Sequence, residues 1–473
     1  MKLSLIFPSW TYVFGNMENV AKGASTFPPL NLAYLAAIAE KHGHTVQLID
    51  GEVESLTFQD IVSRVLEFKP DIIGLTATTP IFHIMRKQAE ELKRRINVPI
   101  IAGGPHITYF REKVFHECFD YLVIGECEGT FGPFLDAIEK KENIPGIPGI
   151  VFRKNSNVVF TGENHVSVKF DDVPFPARWL LKYDLYHLGT LHGTKKYTSI
   201  MTTTGCPFKC AFCATSIYGN RVRVRSVENV IAELKQVIDD FGITHFYFID
   251  GTLTLNRKYM LKLCDAIENA GLKFTWEGGT RANLVDEELL TKMKACGLIR
   301  LSFGLETADP GVSEIIMKEV PLESYIKANK LTNKYGIETI NSVMLGLPGD
   351  TYETINKTIS FVRKARDLKH ATFGIAMPYP GSPMYDMAVK GEYGLKLLTD
   401  DFSQYQRYNH AVMSVNGILP KELVRLQRIG LLKIYLVPWR IIPLLKRFGL
   451  IALIKPFFSA LWAVILRKRL VGI

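Results

Sequence analysis

Three cysteines in one short segment form the pattern in this sequence that is most capable of chemistry. Cys206, Cys210 and Cys213 have the spacing C-x3-C-x2-C and directly follow a strand-like run, residues 198–204. Thiolates are soft ligands that hold iron–sulfur clusters. Electron-carrying clusters use four cysteines, whereas three thiolates leave one iron of a four-iron cluster open to a substrate. The segment therefore predicts a reactive iron–sulfur centre.

A structural zinc site and scattered core cysteines are the simpler interpretations of this segment. Zinc favours four ligands in two pairs, and the sequence contains no second C-x2-C pair. The other four of the seven cysteines stand alone and are typical of small core residues: Cys118, Cys127, Cys264 and Cys296. This distribution is not a disulfide framework, and a low-potential cluster needs a reducing compartment. An iron–sulfur cluster is therefore favoured.

Residues 202–213 resemble the signature segment of radical S-adenosylmethionine (SAM) enzymes, with Gly205 and Pro207 in the loop and Phe212 before the last cysteine. The resemblance implies a [4Fe–4S] cluster on the three cysteines and places Phe212 at the cofactor. It implies that the open iron binds the amino and carboxylate groups of SAM. Reductive cleavage of SAM would give methionine and a 5′-deoxyadenosyl radical, with an electron donor of flavodoxin or ferredoxin type.

Residues 198–377 alternate strand and helix patterns six times, with strands predicted at 198–204, 244–250, 273–278, 299–304, 337–346 and 371–377. This pattern suits the partial (β/α)6 barrel of the radical SAM family, in which the chemistry lies at the strand C-termini. Three charged residues at strand ends match family positions around SAM: Asp250, Arg281 and Glu306. Relatives often have a second acidic residue where this sequence has Gly251. A SAM-binding role and a structural ion pair both stay open for each of the three.

The N-terminal third alternates shorter strands with helices, which predicts an α/β fold with a doubly wound, Rossmann-like parallel sheet. Strands are predicted at 3–7, 45–50, 71–77, 99–104 and 121–126. Ligands bind such sheets at the carboxyl ends of the strands. Those ends carry small or polar residues that let a large ligand approach the backbone: Thr76, Gly103, Gly104, Gly125 and Glu126.

This layout resembles the cobalamin-binding domain of one large subgroup of radical SAM enzymes, which includes magnesium-protoporphyrin cyclase and hopanoid-biosynthesis enzymes. The matching segments are 28–30, 102–106 and 125–128. The resemblance implies cobalamin at the five strand-end residues. Residues 1–150 contain no Asp-x-His-x-x-Gly, so no lower-ligand histidine is apparent. The alternative is a domain without cofactor that has a structural or substrate-gripping role.

The C-terminal tail is apolar and basic and is expected to be helical. Eleven Lys or Arg and one Glu lie after Ile418, so the net charge of +10 belongs to the tail and residues 1–418 are balanced. This balance argues against a nucleic-acid partner. Residues 448–466 are long enough to span a membrane, but Lys455-Pro456 at their middle favours an anchor at the membrane surface. A helical lid on the barrel is the alternative.

The sequence thus predicts a cobalamin-binding-like domain (1–142), a linker with a small hairpin (143–190), a radical SAM barrel (191–400) and the tail (401–473). We expect a cytoplasmic protein that is peripheral on the inner face of the membrane. The tail suggests a lipid-like small-molecule substrate, such as an isoprenoid, hopanoid or tetrapyrrole.

The main functional hypothesis is a radical cyclisation, rearrangement or C–C bond formation at an unactivated carbon. The alternative is cobalamin-dependent C-methylation. A tRNA methylthiotransferase and a non-catalytic electron carrier are less favoured, because no second cysteine cluster lies in residues 1–150 and the barrel pattern is complete. No radical-quenching residue is identified, and Tyr379 and Cys296 are only candidates.

Overall fold

The computed structural model describes residues 1–9, 25–142, 144–166, 168–188, 196–406 and 408–442. The strands of the N-terminal part are β1 (Lys2–Phe7), β2 (Thr45–Asp50), β3 (Ile72–Thr76), β4 (Ile100–Gly103), β5 (Tyr121–Val123), β6 (Ile150–Lys154) and β7 (Asn157–Phe160). The helices there are α1 (Leu30–Lys41), α2 (Phe58–Phe68), α3 (Phe82–Arg95), α4 (Pro105–Phe110) and α5 (Phe131–Lys140).

These seven strands form one sheet in the order β2-β1-β3-β4-β5-β6-β7. The first five are parallel, and β6 and β7 add an antiparallel edge. Apolar side chains are buried on both faces, since Leu3 and Leu5 belong to one core and Ile6 to the other. The predicted doubly wound sheet is confirmed. The hairpin predicted within the linker extends this same sheet.

The second part contains the strands β8 (Thr198–Ile200), β9 (Thr203–Thr204), β10 (Arg223–Val224), β11 (His245–Phe248), β12 (Thr275–Thr280), β13 (Leu298–Glu306), β14 (Glu338–Leu345) and β15 (His370–Ile375). Its helices are α6 (Val227–Phe241), α7 (Arg257–Asn269), α8 (Glu287–Ala295), α9 (Pro310–Ile315), α10 (Leu322–Lys334), α11 (Tyr352–Lys364) and α12 (Pro383–Lys390).

Six parallel strands follow one another in the order β8-β11-β12-β13-β14-β15. No ladder joins β8 to β15 among the residues that the structure describes, so the barrel is open there. Side-chain caps begin several of its helices: Ser226, Asn256, Asp286 and Thr351 each accept the backbone N–H three residues ahead. Each cap contributes about 1 kcal/mol. The predicted partial (β/α)6 barrel is confirmed.

The predicted strand 198–204 is interrupted in the structure. It ends as β8 at Ile200, and β9 pairs instead with β10 in a separate antiparallel ribbon. The reason is the carboxylate of Asp250, which accepts hydrogen bonds from the backbone N–H groups of Thr202 (2.7 Å) and Thr203 (3.0 Å). These amides therefore turn inward and leave the barrel sheet.

The C-terminal region contains β16 (Leu395–Leu397), β17 (Met413–Val415) and α13 (Pro420–Tyr435). The first two pair antiparallel, so the predicted helical tail begins with a strand. The helix α13 packs on the barrel, where the Gln427 side-chain amide donates to the Phe373 carbonyl at 2.7 Å. Within the described part of the chain, no helix is both long and apolar enough to cross a membrane. The predicted span 448–466 lies outside the described residues.

Candidate active site between the two sheets

An open cavity of about 490 Å³ lies where the C-terminal edge of the first sheet meets the start of the barrel. All five residues predicted to bind cobalamin line it: Thr76, Gly103, Gly104, Gly125 and Glu126. The barrel contributes Met201 after β8 and Ile249 after β11. The cavity therefore faces the same barrel strands whose ends carry the cysteine loop.

Backbone geometry shapes the wall of this cavity. Gly104 has φ +108°, and a Cβ there would come within 2.5 Å of the Ala77 carbonyl oxygen. Gly125 has φ +79° with open space around its missing side chain. Only glycine adopts such conformations readily. The wall is thus built from backbone, which lets a large flat ligand come close.

Tyr34 on α1 is a cavity residue that the sequence pattern did not indicate. Its side chain is buried, and its hydroxyl has no hydrogen-bond partner among the described residues. This hydroxyl is closed off from solvent and is influenced by the buried charges of Glu233, Arg225 and Arg178, so only the ring of Tyr34 is assigned to the cavity wall. The glycine wall, which a Cβ would obstruct at Gly104, fits a large cofactor that lies against the backbone.

His106 does not line the cavity, although it ends the matching segment 102–106. Its ring stacks on Phe82 at 4.2 Å between centroids, and its Nδ1 lies 3.3 Å from the Thr79 hydroxyl. Burial lowers the pKa of His106 to about 4. This histidine belongs to an aromatic cluster behind the sheet edge and remains a neutral core residue.

The loop with the three cysteines lies between β9 and β10 and is tied to the barrel by backbone hydrogen bonds. Ala211 N–H donates to the Ile316 carbonyl at 2.9 Å, and the Ala211 carbonyl accepts from Met384 N–H at 2.8 Å. Gly251 brings the end of β11 against this loop, because a Cβ there would lie 3.2 Å from the Cys206 Cβ. The departure from the family's second acidic residue therefore has a packing reason.

The three cysteines are free thiols and half-buried. Cys206 Sγ lies 3.6 Å from the Thr252 hydroxyl, and Cys213 Sγ lies 3.2 Å from the Thr215 hydroxyl. Burial raises the pKa of Cys210, while Lys318 and Arg281 act in the opposite direction. No set of three or more Cys, His, Asp or Glu among the described residues is arranged to hold a single metal ion.

Asp250 does not stand free at the strand end as a SAM ligand would. Both of its carboxylate oxygens bond the β8–β9 turn, including the Thr202 hydroxyl, and its side chain is buried. Burial raises the pKa of this carboxyl to about 6. The geometry gives Asp250 a positioning task, in which it bends the chain toward the cysteine loop.

Arg281 and Glu306 meet around Lys318, a residue that the sequence pattern did not indicate. Lys318 Nζ lies 3.5 Å from Glu306 Oε1 and 5.8 Å from the ring of Phe212. The Arg281 guanidinium lies 3.7 Å from the ring of Phe208 and donates to the Lys318 carbonyl. Its Nε has no partner among the described residues. A cluster of buried charges therefore stands directly beside the cysteine loop.

Cys296, a candidate radical quencher, lies far from this cluster. It follows α8 and precedes β13, at the opposite end of the barrel strands, and its Sγ lies 3.2 Å from that of Cys264. Tyr379 follows β15, on the same end of the barrel as the cysteine loop. Of the two candidate radical quenchers, Tyr379 therefore lies at the end of the barrel where the radical would form, and Cys296 does not.

Comparisons with known proteins agree with this geometry. A model of the radical SAM superfamily matches residues 200–362, and a model of the B12 binding domain matches residues 19–135. An uncharacterized methyltransferase of Pyrococcus horikoshii is 35% identical over 418 residues, which are 88% of this chain and 89% of that protein. The anaerobic magnesium-protoporphyrin IX monomethyl ester cyclase of Rubrivivax gelatinosus is 26% identical over 397 residues, 81% and 70% of the two chains.

Among solved structures, the radical SAM methyltransferase TsrM of Kitasatospora setae, with cobalamin and a [4Fe–4S] cluster bound, superposes with a TM-score of 0.71. It covers 92% of this chain and 89% of its own, at 17% identity, which shows a shared fold. The two matched domains confirm the predicted cofactors, namely a [4Fe–4S] cluster, SAM and cobalamin. This chain belongs to the radical SAM superfamily and is an enzyme of the subgroup with an N-terminal B12-binding domain.

Proposed function

We propose that this enzyme is a cobalamin-dependent radical SAM methyltransferase that methylates an unactivated carbon. The observation that carries the proposal is the cavity shared by Gly103 and Gly104 of the first sheet and by Met201 and Ile249 of the barrel. A methyl carrier held there would face the cysteine loop. The similarity to a methyltransferase over 88% of this chain favours methylation over the cyclisation or rearrangement that was the main sequence-based hypothesis.

In this proposal each region of the site has a separate task. Cys206, Cys210 and Cys213 would hold the cluster, and the neighbouring Arg281 and Lys318 would attract the carboxylate of SAM. The glycine wall would hold the cobalamin. When bound, the cluster supplies the electron that cleaves SAM, and the cobalamin supplies a carrier for the methyl group. The apolar wall of the cavity would exclude water from both.

A labelled methyl group tests this function without knowledge of the substrate. Reconstituted enzyme with bound cobalamin is reduced and mixed with SAM that carries a CD3 group, and the corrinoid is analysed by mass spectrometry. We expect CD3-labelled methylcobalamin from the wild type and none from the control Cys210→Ala, because that variant lacks the cluster that binds SAM. Cleavage of SAM to 5′-deoxyadenosine without any label on the corrinoid would favour cyclisation or rearrangement.

The proposal includes a lipid-like or tetrapyrrole-like substrate that is reached at a membrane surface. Four apolar side chains are exposed in the last turn of α13 and just after it: Leu432, Leu436, Trp439 and Ile442. The chain beyond them carries six further Lys or Arg residues. Each of these contributes about 1 kcal/mol near an anionic leaflet. Arg440 is not one of the available cations, because it is buried and donates to carbonyls that include that of Leu368.

Liposome sedimentation tests the membrane part. Full-length enzyme should pellet with anionic vesicles, less so in high salt, and a protein ending after Ile442 should stay in the supernatant while still cleaving SAM. A protein ending near Pro420 would be unsuitable, because α13 and Arg440 are parts of the barrel packing. Equal sedimentation of the two proteins, or none, would remove the support for a membrane-borne substrate.

A further inference from the structure

Two carboxylates in the wall of the cavity bond the base of the cysteine loop. Glu126 and Glu128 follow β5, whereas Thr204 lies on β9 and Arg223 on β10. Arg223 Nη2 lies 3.0 Å from Glu126 Oε1 and 2.8 Å from Glu128 Oε1. The Thr204 hydroxyl donates to Glu126 Oε1 at 3.2 Å. Three polar contacts therefore join the first sheet to the loop, across about 80 to 95 residues of sequence.

These contacts hold both ends of the loop at once. Thr204 precedes the three cysteines and Arg223 follows them, and the two residues are paired across the β9–β10 ribbon. The neck of the loop is closed tightly, because a Cβ on Gly205 would lie 2.0 Å from the Arg221 carbonyl oxygen. A displacement of the carboxylates would therefore move the whole loop as one body.

The shielding of Arg223 from solvent reduces the screening of these contacts by water and salt. The Arg223 side chain is only 12% exposed, and those of Glu128 and Glu126 are 21% and 39% exposed. The Arg223 guanidinium also lies 5.5 Å from the ring of Phe170, which itself lines the cavity. Charge-assisted hydrogen bonds with two partners fix direction as well as distance. Glu126 is one of the residues predicted to bind the cofactor, and its Oε1 is engaged by Thr204 and Arg223.

We infer that Glu126, Glu128, Thr204 and Arg223 form a clamp that sets the separation and orientation between the cobalamin cavity and the cysteine loop. They are positioning residues, since they act through the walls that hold the two cofactors. The inference rests on the proposed function for its purpose, because methyl transfer requires the corrinoid and SAM to face each other at short range. Its structural content, a rigid link between cavity and loop, does not depend on the reaction.

The magnetic interaction of the two cofactors tests the clamp in the holoenzyme. Reduced cluster speeds the spin relaxation of nearby cob(II)alamin, and this effect falls steeply with distance. Arg223→Met should keep four irons and one cobalamin per chain but lose at least half of the relaxation enhancement, and Arg223→Lys should restore part of it. The control is Arg257→Met, which removes another arginine with two acidic partners, Asp286 and Glu288, on the exposed surface of the barrel domain. Unchanged relaxation in Arg223→Met, or loss of cobalamin itself, would overturn the clamp.

Hydrogen exchange separates failure of the clamp from failure of the proposed function. In protein without cobalamin, Arg223→Met should speed amide exchange about tenfold in both 125–128 and 203–204, as expected from the loss of a charge-assisted hydrogen bond. The milder variant Glu128→Gln should speed amide exchange in the same two segments to a smaller extent. It serves as the test variant if Arg223→Met does not fold. Faster exchange on one side only would contradict a clamp, whether or not the wild type binds cobalamin.

Discussion

The edge of the first sheet and the strand ends of the barrel both offer room for a large cofactor, but they are built differently. The sheet edge consists mainly of glycine backbone and apolar side chains around an open cavity. The barrel end consists of half-buried thiols and a buried charge cluster of Arg281, Glu306 and Lys318. One region provides shape, and the other provides ligands and charge.

This difference explains why the two regions should tolerate different changes. A cavity made from backbone fails when a Cβ fills it, whatever the polarity of the new side chain. A charge cluster fails when one member is removed, because its buried partner is left without compensation. Because the glycines of the wall and the three thiols are separate from the clamp residues, damage to the wall should remove only the cobalamin, and damage to the thiols should remove only the cluster.

The largest effect is expected from the thiols. Cys210→Ala removes one cluster ligand and should abolish SAM cleavage, measured as 5′-deoxyadenosine by chromatography, while cobalamin binding stays at the wild-type level. The matched control is Cys118→Ala, a buried cysteine outside the loop, which should retain full cleavage. Normal cleavage by Cys210→Ala would refute the cluster, and loss of cobalamin in it would break the separation of the two regions.

A glycine substitution should have the reverse effect. Gly104→Ala adds a Cβ 2.5 Å from the Ala77 carbonyl oxygen at φ +108°, which costs about 2–5 kcal/mol from strain and overpacking. We expect the cobalamin affinity to fall at least about tenfold while four irons remain bound. In Gly43→Ala the new Cβ meets nothing within 4 Å, so this control at φ +84° carries only backbone strain. Equal cobalamin affinity in both variants would show that the glycine wall is not the binding surface.

Asp250 should make the free energy of unfolding fall as the pH rises, which is the opposite of the usual effect of a carboxylate. Burial raises its pKa to about 6, so the folded protein binds this proton more tightly than the unfolded chain does. Its contribution to the free energy of unfolding is therefore fully present below about pH 4 and is lost as pH rises through 6. The difference in denaturation midpoint between wild type and Asp250→Asn should change across this window, by up to about 3 kcal/mol. The exposed Asp184→Asn serves as the control, and a constant difference for Asp250→Asn would contradict the prediction.

The smallest effect is expected from Lys318. Lys318→Met keeps the length of the side chain but removes the charge 3.5 Å from Glu306 Oε1 and beside the cysteine loop. If Lys318 attracts the SAM carboxylate, the KM for SAM should rise about tenfold with a smaller change in kcat. The exposed Lys334→Met, which loses a surface pair with Glu287, is the control. A fall in kcat at constant KM would assign Lys318 to loop packing instead.

Local patterns were sufficient for the parts of this protein that depend on neighbouring residues. The strand Thr45–Asp50 is observed with the predicted bounds, because side-chain periodicity acts within a few residues. The helix Phe58–Phe68 likewise begins at a local signal, the capping box of Thr57 and Asp60. The three cysteines and the strand-end glycines were likewise identified from the sequence as candidate site residues. The role of the cysteines follows from their residue type, and the role of the glycines follows from their backbone conformation. The glycines come together because parallel strands end at the same edge of a sheet.

Tertiary structure alone decided the tasks of the charged residues. Asp250 turns to the amides of Thr202 and Thr203, Lys318 joins Glu306 beside the loop, and Arg223 reaches two carboxylates from another sheet. The same holds for α13, whose basic sequence suggested a separate tail although it packs on the barrel. A carboxylate or a cation has many favourable partners, and which one it meets depends on packing between segments far apart in sequence. The sequence determined which groups this protein has for its chemistry, and the fold determined which of them face each other.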